Sequence, residues 1–173
     1  MAPHYAKGFS LWLMPAGEVV RKLEDIIGNL AGRYGSPKFP PHITLLGAVE
    51  CNMEKALEVS GGLSKRIGRI ALELDGIGMT DSYFRSLFIK VKGSAELDEA
   101  FGYSLSAFGI SRPKLMPHIS LLYAELHAEE KERMVSELEK YGLSGKPCSA
   151  DTLALYNTQG GAEDWRKVRE FRL

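Results

Sequence analysis

The chain has 173 residues, room for one large domain or two small lobes sharing a core, and its 45% apolar and 25% charged content is ordinary for a globular protein. Lys plus Arg (22) balances Asp plus Glu (22), so the net charge is zero; this argues against a large basic footprint for duplex or long RNA, while a local patch for one phosphate remains open. Cys51 and Cys148 have neither metal-ligand spacing nor a Cys-x-x-Cys pattern, and no stretch approaches the roughly 18 apolar residues of a membrane span, so free thiols and a cytoplasmic or nuclear setting away from membranes are expected.

The first apolar run, Gly8–Pro15, is closed by proline and reads as a strand. Val19, Val20, Leu23, Ile26, Ile27 and Leu30 recur at three- and four-residue steps, predicting an amphipathic helix that stops near Tyr34–Gly35. A strand over His42–Val49 follows. Asn52 is placed to cap a second helix running toward Ile67, weakened in its middle by Gly61–Gly62. Ile70, Leu72 and Leu74 alternate with polar neighbours, and Tyr83–Lys92 supplies a partner strand, so the pair reads as a long-looped hairpin. Ser94 caps a third helix bearing Leu97, Phe101, Leu105 and Phe108, with acids suited to its positive end. Another strand, His118–Ala124, precedes a fourth helix marked by Met134, Val135, Leu138 and Tyr141. Asp151–Asn157 and Trp165–Leu173 close the chain as strands around a Gly160–Gly161 turn, and no linker or low-complexity tract divides residues 1–173.

One phrase is written twice: PHITLL at Pro41–Leu46 and PHISLL at Pro117–Leu122. Residues two apart on a strand share a face, so His42 projects with Thr44 and His118 with Ser120, while Ile43, Leu45, Ile119 and Leu121 turn toward the core. Side by side, the two strands would bring two imidazoles and two hydroxyls to one groove. That set suits phosphoryl chemistry. One imidazole, neutral, takes a proton from attacking water, and the other, protonated, gives one to the leaving oxygen. The hydroxyls donate to non-bridging phosphate oxygens, where charge builds in the transition state. Nothing in the pattern demands a metal or other cofactor.

Two His-x-Thr/Ser motifs in matching halves of a mixed α/β chain resemble the two-histidine (2H) phosphoesterase superfamily. FSLWLMP near the start, FPPHITLLGAV, and above all MPHISLLYAEL before a Glu/Lys-rich helix are similar to the plant- and yeast-type cyclic phosphodiesterases, over roughly Phe9 to Tyr156. The resemblance implies an α+β fold of two pseudo-symmetric lobes, with antiparallel sheets flanking a central groove and helices outside. It implies hydrolysis of ADP-ribose 1″,2″-cyclic phosphate and of nucleoside 2′,3′-cyclic phosphates to 2′-phosphates. His42, Thr44, His118 and Ser120 carry over as the catalytic set, with the acid and base roles unassigned. A small cyclic nucleotide is the expected partner, a monomer suffices, and polynucleotides are disfavoured except at RNA ends.

Three aromatics also fall at family positions. Trp12, Phe84 and Tyr123 could stack on a base or contact ribose and phosphate, or could instead pack the core. Tyr123 sits at an odd offset from His118 and reaches the groove only if its strand bulges or ends there. Arg112 and Lys114 read as solvated loop charges, His4 as part of a mobile N-terminus, and His127 as a helix-start residue. Two rival readings remain: an RNA-end processor of the 2′–5′ ligase or 3′-end phosphodiesterase kind, and a nucleotide-binding module without turnover.

Overall fold

Among residues 4–173, which the computed structural model describes, strands and helices alternate as the periodicities require. The strands are β1 (Phe9–Ala16), β2 (Ile43–Val49), β3 (Ile70–Met79), β4 (Leu87–Val91), β5 (His118–Leu122), β6 (Pro147–Asn157) and β7 (Arg166–Arg172). The helices are α1 (Val19–Tyr34), α2 (Met53–Ser64), α3 (Ala95–Phe108) and α4 (Ala128–Glu139). In α1 the apolar stripe Leu23, Ile26, Ile27 and Leu30 is buried, and Gly35 ends the helix in the left-handed region that glycine enters without a Cβ clash. Asn52 caps α2, its side-chain oxygen accepting the Lys55 N–H at 2.8 Å. The helix runs unbroken through Gly61–Gly62 and stops at Ser64, short of Ile67.

All strand pairs are antiparallel. β1 pairs with β2 and β6, β2 with β5, β5 with β4, β4 with β3, and β3 with β6, so six strands return on themselves. β7 is added along Thr152–Asn157 of β6. One lobe holds β1, β2, β6 and β7, and the other holds β3, β4 and β5. The lobes meet through β3–β6 and through one β2–β5 pair, Ile43 opposite Ile119. Helices cover the outer face, α1 on β5, α3 on β2, α2 on β6 and α4 on β3. Ile43, Leu45, Ile119 and Leu121 are buried in the core beneath them, as the alternation predicts.

The hairpin differs from its sequence reading. β3 continues to Met79, and Tyr83–Arg85 forms a 3-10 turn, so β4 begins only at Leu87. The cause is tertiary: the Thr80 hydroxyl donates to the Arg85 carbonyl at 2.6 Å, and the Arg85 N–H donates to the Ser82 carbonyl at 3.0 Å. These bonds close a loop that an extended strand would have left open. Gly78 completes the arrangement, because a Cβ there would lie 2.5 Å from the ring of Phe88, the residue it faces across the hairpin. Among the described residues no helix is long and apolar enough to cross a membrane, and Cys51 and Cys148 are free.

Candidate active site

A groove of about 330 Å³ opens where β2 and β5 touch, lined by His42, Thr44, His118 and Ser120 together with Trp12, Phe84, Arg85, Tyr123 and Trp165. The single Ile43–Ile119 pair explains the convergence. Continued by one residue each way, that antiparallel register sets His42 across from Ser120 and Thr44 across from His118. Each imidazole thus faces the hydroxyl of the other motif, an approximate two-fold arrangement between the lobes.

Both rings are held the same way. The Nδ1 of His42 lies 2.8 Å from the Pro40 carbonyl, and the Nδ1 of His118 lies 2.8 Å from the Met116 carbonyl. A carbonyl only accepts, so each Nδ1 carries the hydrogen and each Nε2 is left free to take or give a proton. In each motif the prolyl residue ahead of the histidine favours extended backbone, which places the carbonyl two residues back within reach of the ring.

Their surroundings differ. His42 is 4% exposed, with its ring stacked on Trp12 at 3.6 Å between centroids and its edge toward Phe39. Burial pushes its pKa down to about 4 against the opposing pull of the Pro40 carbonyl, with the charge of His118 adding to the depression. His118 is half-buried, with the edge of Phe88 as its aromatic neighbour. Its pKa is also lowered, first by burial and then by the positive charge of Arg85, while the Met116 carbonyl works the other way. The Ser120 hydroxyl donates to the Phe84 carbonyl at 3.0 Å, tying β5 to the 3-10 turn.

The aromatics divide. Trp12 is 2% exposed and sandwiched, with His42 on one face and Tyr156 on the other at 3.7 Å. It therefore offers no free face for a base, and the stacking role open to it from sequence is corrected to support of His42; its indole N–H is held by the Ser10 hydroxyl at 2.8 Å. Tyr123 reaches the groove because β5 ends at Leu122, but it too is covered, stacked on Phe39 at 3.8 Å. Burial drives its phenol well above the ordinary value, with the Ser120 hydroxyl pulling the other way. Phe84 is only partly buried and lies on the 3-10 turn rather than on a strand, beside Trp165 and edge-on to Tyr123.

Pattern reading missed several lining residues, among them Ser10, Trp165 and Arg85. Ser10 hides within an apolar strand. Trp165 looks like the first letter of a closing strand but caps a short turn over Ala162–Asp164. Arg85 follows Phe84 in what reads as plain alternation, among Asp81, Ser86 and Lys90, so no local signal set it apart. Arg112 and Lys114 are exposed and do not line the groove. His127 begins α4 without a side-chain cap, and His4, expected in a mobile tail, stacks on Tyr83 at 3.9 Å and meets Glu125 at 2.8 Å.

Known proteins share this architecture. The chain is 26% identical over 125 residues to a cyclic phosphodiesterase of Arabidopsis thaliana, spanning 72% of this chain and 69% of the relative. The crystal structure of TT0787 of Thermus thermophilus superposes with a TM-score of 0.63 at 18% identity, covering 96% of this chain and 97% of the other. Escherichia coli LigT complexed with 3′-AMP superposes with a TM-score of 0.59 at 16% identity, covering 97% and 98%. At such identities the two structures establish a common fold. A model of the cyclic phosphodiesterase-like protein family matches residues 7–173, nearly the whole chain, and the protein with the doubled histidine motif therefore belongs to that family.

Proposed function

We propose that this groove hydrolyses cyclic phosphates on ribose without a metal, opening nucleoside 2′,3′-cyclic phosphates to 2′-phosphates and ADP-ribose 1″,2″-cyclic phosphate to the 1″-phosphate. The observation that carries the reading is the pair of Nδ1-anchored imidazoles across a groove from two hydroxyls. The family of the chain, the name of its Arabidopsis relative and the nucleotide bound to its E. coli fold relative support the substrate class. A volume of about 330 Å³ holds a mononucleotide-sized ligand.

His42 acts as the base. Its Nε2 takes a proton from water as the water oxygen bonds to phosphorus. His118, the more open ring, is protonated beside the phosphate anion, whose charge counteracts the depression of its pKa. It gives the Nε2 proton to the ribose O3′ as the P–O3′ bond breaks, leaving the 2′-phosphate. Thr44 donates to a non-bridging oxygen, and Ser120 does so once its hydroxyl rotates away from the Phe84 carbonyl.

Turnover of 2′,3′-cyclic AMP and of ADP-ribose 1″,2″-cyclic phosphate in EDTA, followed by phosphorus NMR, tests this. The expected products are 2′-AMP and ADP-ribose 1″-phosphate at an undiminished rate. A 3′-phosphate product, or activity abolished by the chelator, contradicts it. An oligonucleotide with the same cyclic end that reacts far faster than the mononucleotide would move the substrate to RNA ends.

A further inference from the structure

We propose that Arg85 is the phosphate-binding cation of the groove, its guanidinium gripping the non-bridging oxygens of the scissile cyclic phosphate beside Ser120 and His118. This rests on the cyclic-phosphate reading above.

The argument begins with charge. Among the described residues that line the groove, Arg85 alone bears a fixed charge; the others are apolar, hydroxyl-bearing or imidazole side chains. Both imidazoles are disfavoured as cations by burial. A cyclic phosphate brings one negative charge, and attack by water concentrates more on its non-bridging oxygens in the transition state. Hydroxyls alone answer that charge weakly, whereas a guanidinium presents a planar fork matched to two phosphate oxygens.

The arginine is also unspent. Among the described residues it forms no ion pair, and its Nε is buried without a hydrogen-bond partner. A buried donor left unpaired is costly, and an incoming anion relieves that cost. Arg85 lines the same groove as His118 and Ser120, and its charge opposes the protonation of His118.

Finally, the backbone under Arg85 is fixed from two sides. The Thr80 hydroxyl holds its carbonyl, and the Ser82 carbonyl holds its N–H. Behind them Lys131 of α4, 4% exposed, donates to the Thr80 carbonyl at 2.9 Å and to Asp81 at 2.6 Å. Burying an ammonium is costly unless it is fully engaged, and this one anchors the loop that presents Arg85. The supports run from α4 through the loop to the backbone that presents Arg85, and a fixed backbone serves the preorganisation that transition-state charge stabilisation requires.

Steady-state kinetics with 2′,3′-cyclic AMP and calorimetry with 2′-AMP, inorganic phosphate and adenosine test the proposal on Arg85→Ala, Arg85→Gln and Arg85→Lys. Arg85→Ala should lose about 10²–10³ in kcat/KM, with much of the loss in kcat. It should bind 2′-AMP and phosphate more weakly while binding adenosine unchanged, and millimolar guanidinium chloride should restore part of its rate. Arg85→Lys should recover only part of the activity, since an ammonium lacks the fork. If Arg85→Ala fails to fold, the Gln and Lys variants carry the same comparison. Wild-type turnover that survives in Arg85→Ala and Arg85→Gln, with 2′-AMP binding intact, overturns the assignment and leaves the proposed reaction standing. A wild type that turns over no cyclic phosphate yet loses 2′-AMP binding on mutation of Arg85 overturns the reaction and sustains the arginine's role.

Discussion

The imidazole of His42 is stacked on the face of Trp12 and set edge-to-face with Phe39, whereas that of His118 is edge-to-face with Phe88 and only partly buried. Both rings are anchored through Nδ1 to the carbonyl two residues back, and both precede an apolar residue and a hydroxyl. The letters around them are nearly the same, and the cover over them is not. A duplicated motif can supply two equivalent tools, but the protein around each tool decides whether it holds or withholds a proton. Desolvation holds the pKa of His42 down to about 4 and also lowers that of His118, which fits the roles proposed for them, base for the first motif and acid for the second.

The comparison is broken most easily by deletion. His42→Ala and His118→Ala should each reduce kcat/KM on 2′,3′-cyclic AMP by about 10²–10⁴, the scale of a general acid or base. A variant with near-normal turnover would remove that ring from the mechanism.

A smaller effect appears in the pH profile. His42 must be neutral to accept a proton, and with its pKa near 4 it loses that ability only as pH falls into that region. His118 must be protonated to donate, and since burial holds its pKa below the ordinary imidazole value, activity declines as pH rises through that lowered pKa. The kcat/KM profile is therefore a bell with its maximum on the acid side of neutrality. A flat profile between about pH 5 and pH 8 would contradict paired roles.

Trp12→Phe sharpens the distinction further. An imidazolium forming over an indole face gains about 0.5–2 kcal/mol, and a phenyl face gives less, so kcat should fall a few-fold with KM nearly unchanged. A rise in KM with kcat intact would instead return Trp12 to contact with substrate.

Much of this was legible in the sequence. The stripe Leu23–Leu30, the Asn52 cap and the strand faces of the two motifs all follow from short-range periodicity, and each appears where that periodicity places it. What escaped is long-range. The 3-10 turn at Tyr83–Arg85 exists because Thr80 and a lysine on α4 pull the chain out of strand geometry, and no local pattern contains Lys131. Trp12 reads as a lone aromatic on a first strand, and only the antiparallel pairing of β1 with β6 brings Tyr156 onto its second face. Arg85 and Trp165 join the groove through the same long-range closures.

The unequal division of labour is tested most directly with a 2′,3′-cyclic AMP analogue bearing sulfur in place of O3′. A thiolate leaves without a proton donor, so the acid becomes dispensable while the base does not. His118→Ala should turn over the analogue to within about tenfold of wild type, and His42→Ala should remain impaired by about 10²–10⁴. Rescue of His42→Ala in place of His118→Ala, or equal behaviour of the two variants, would contradict the assignment of base to the buried histidine and acid to the open one.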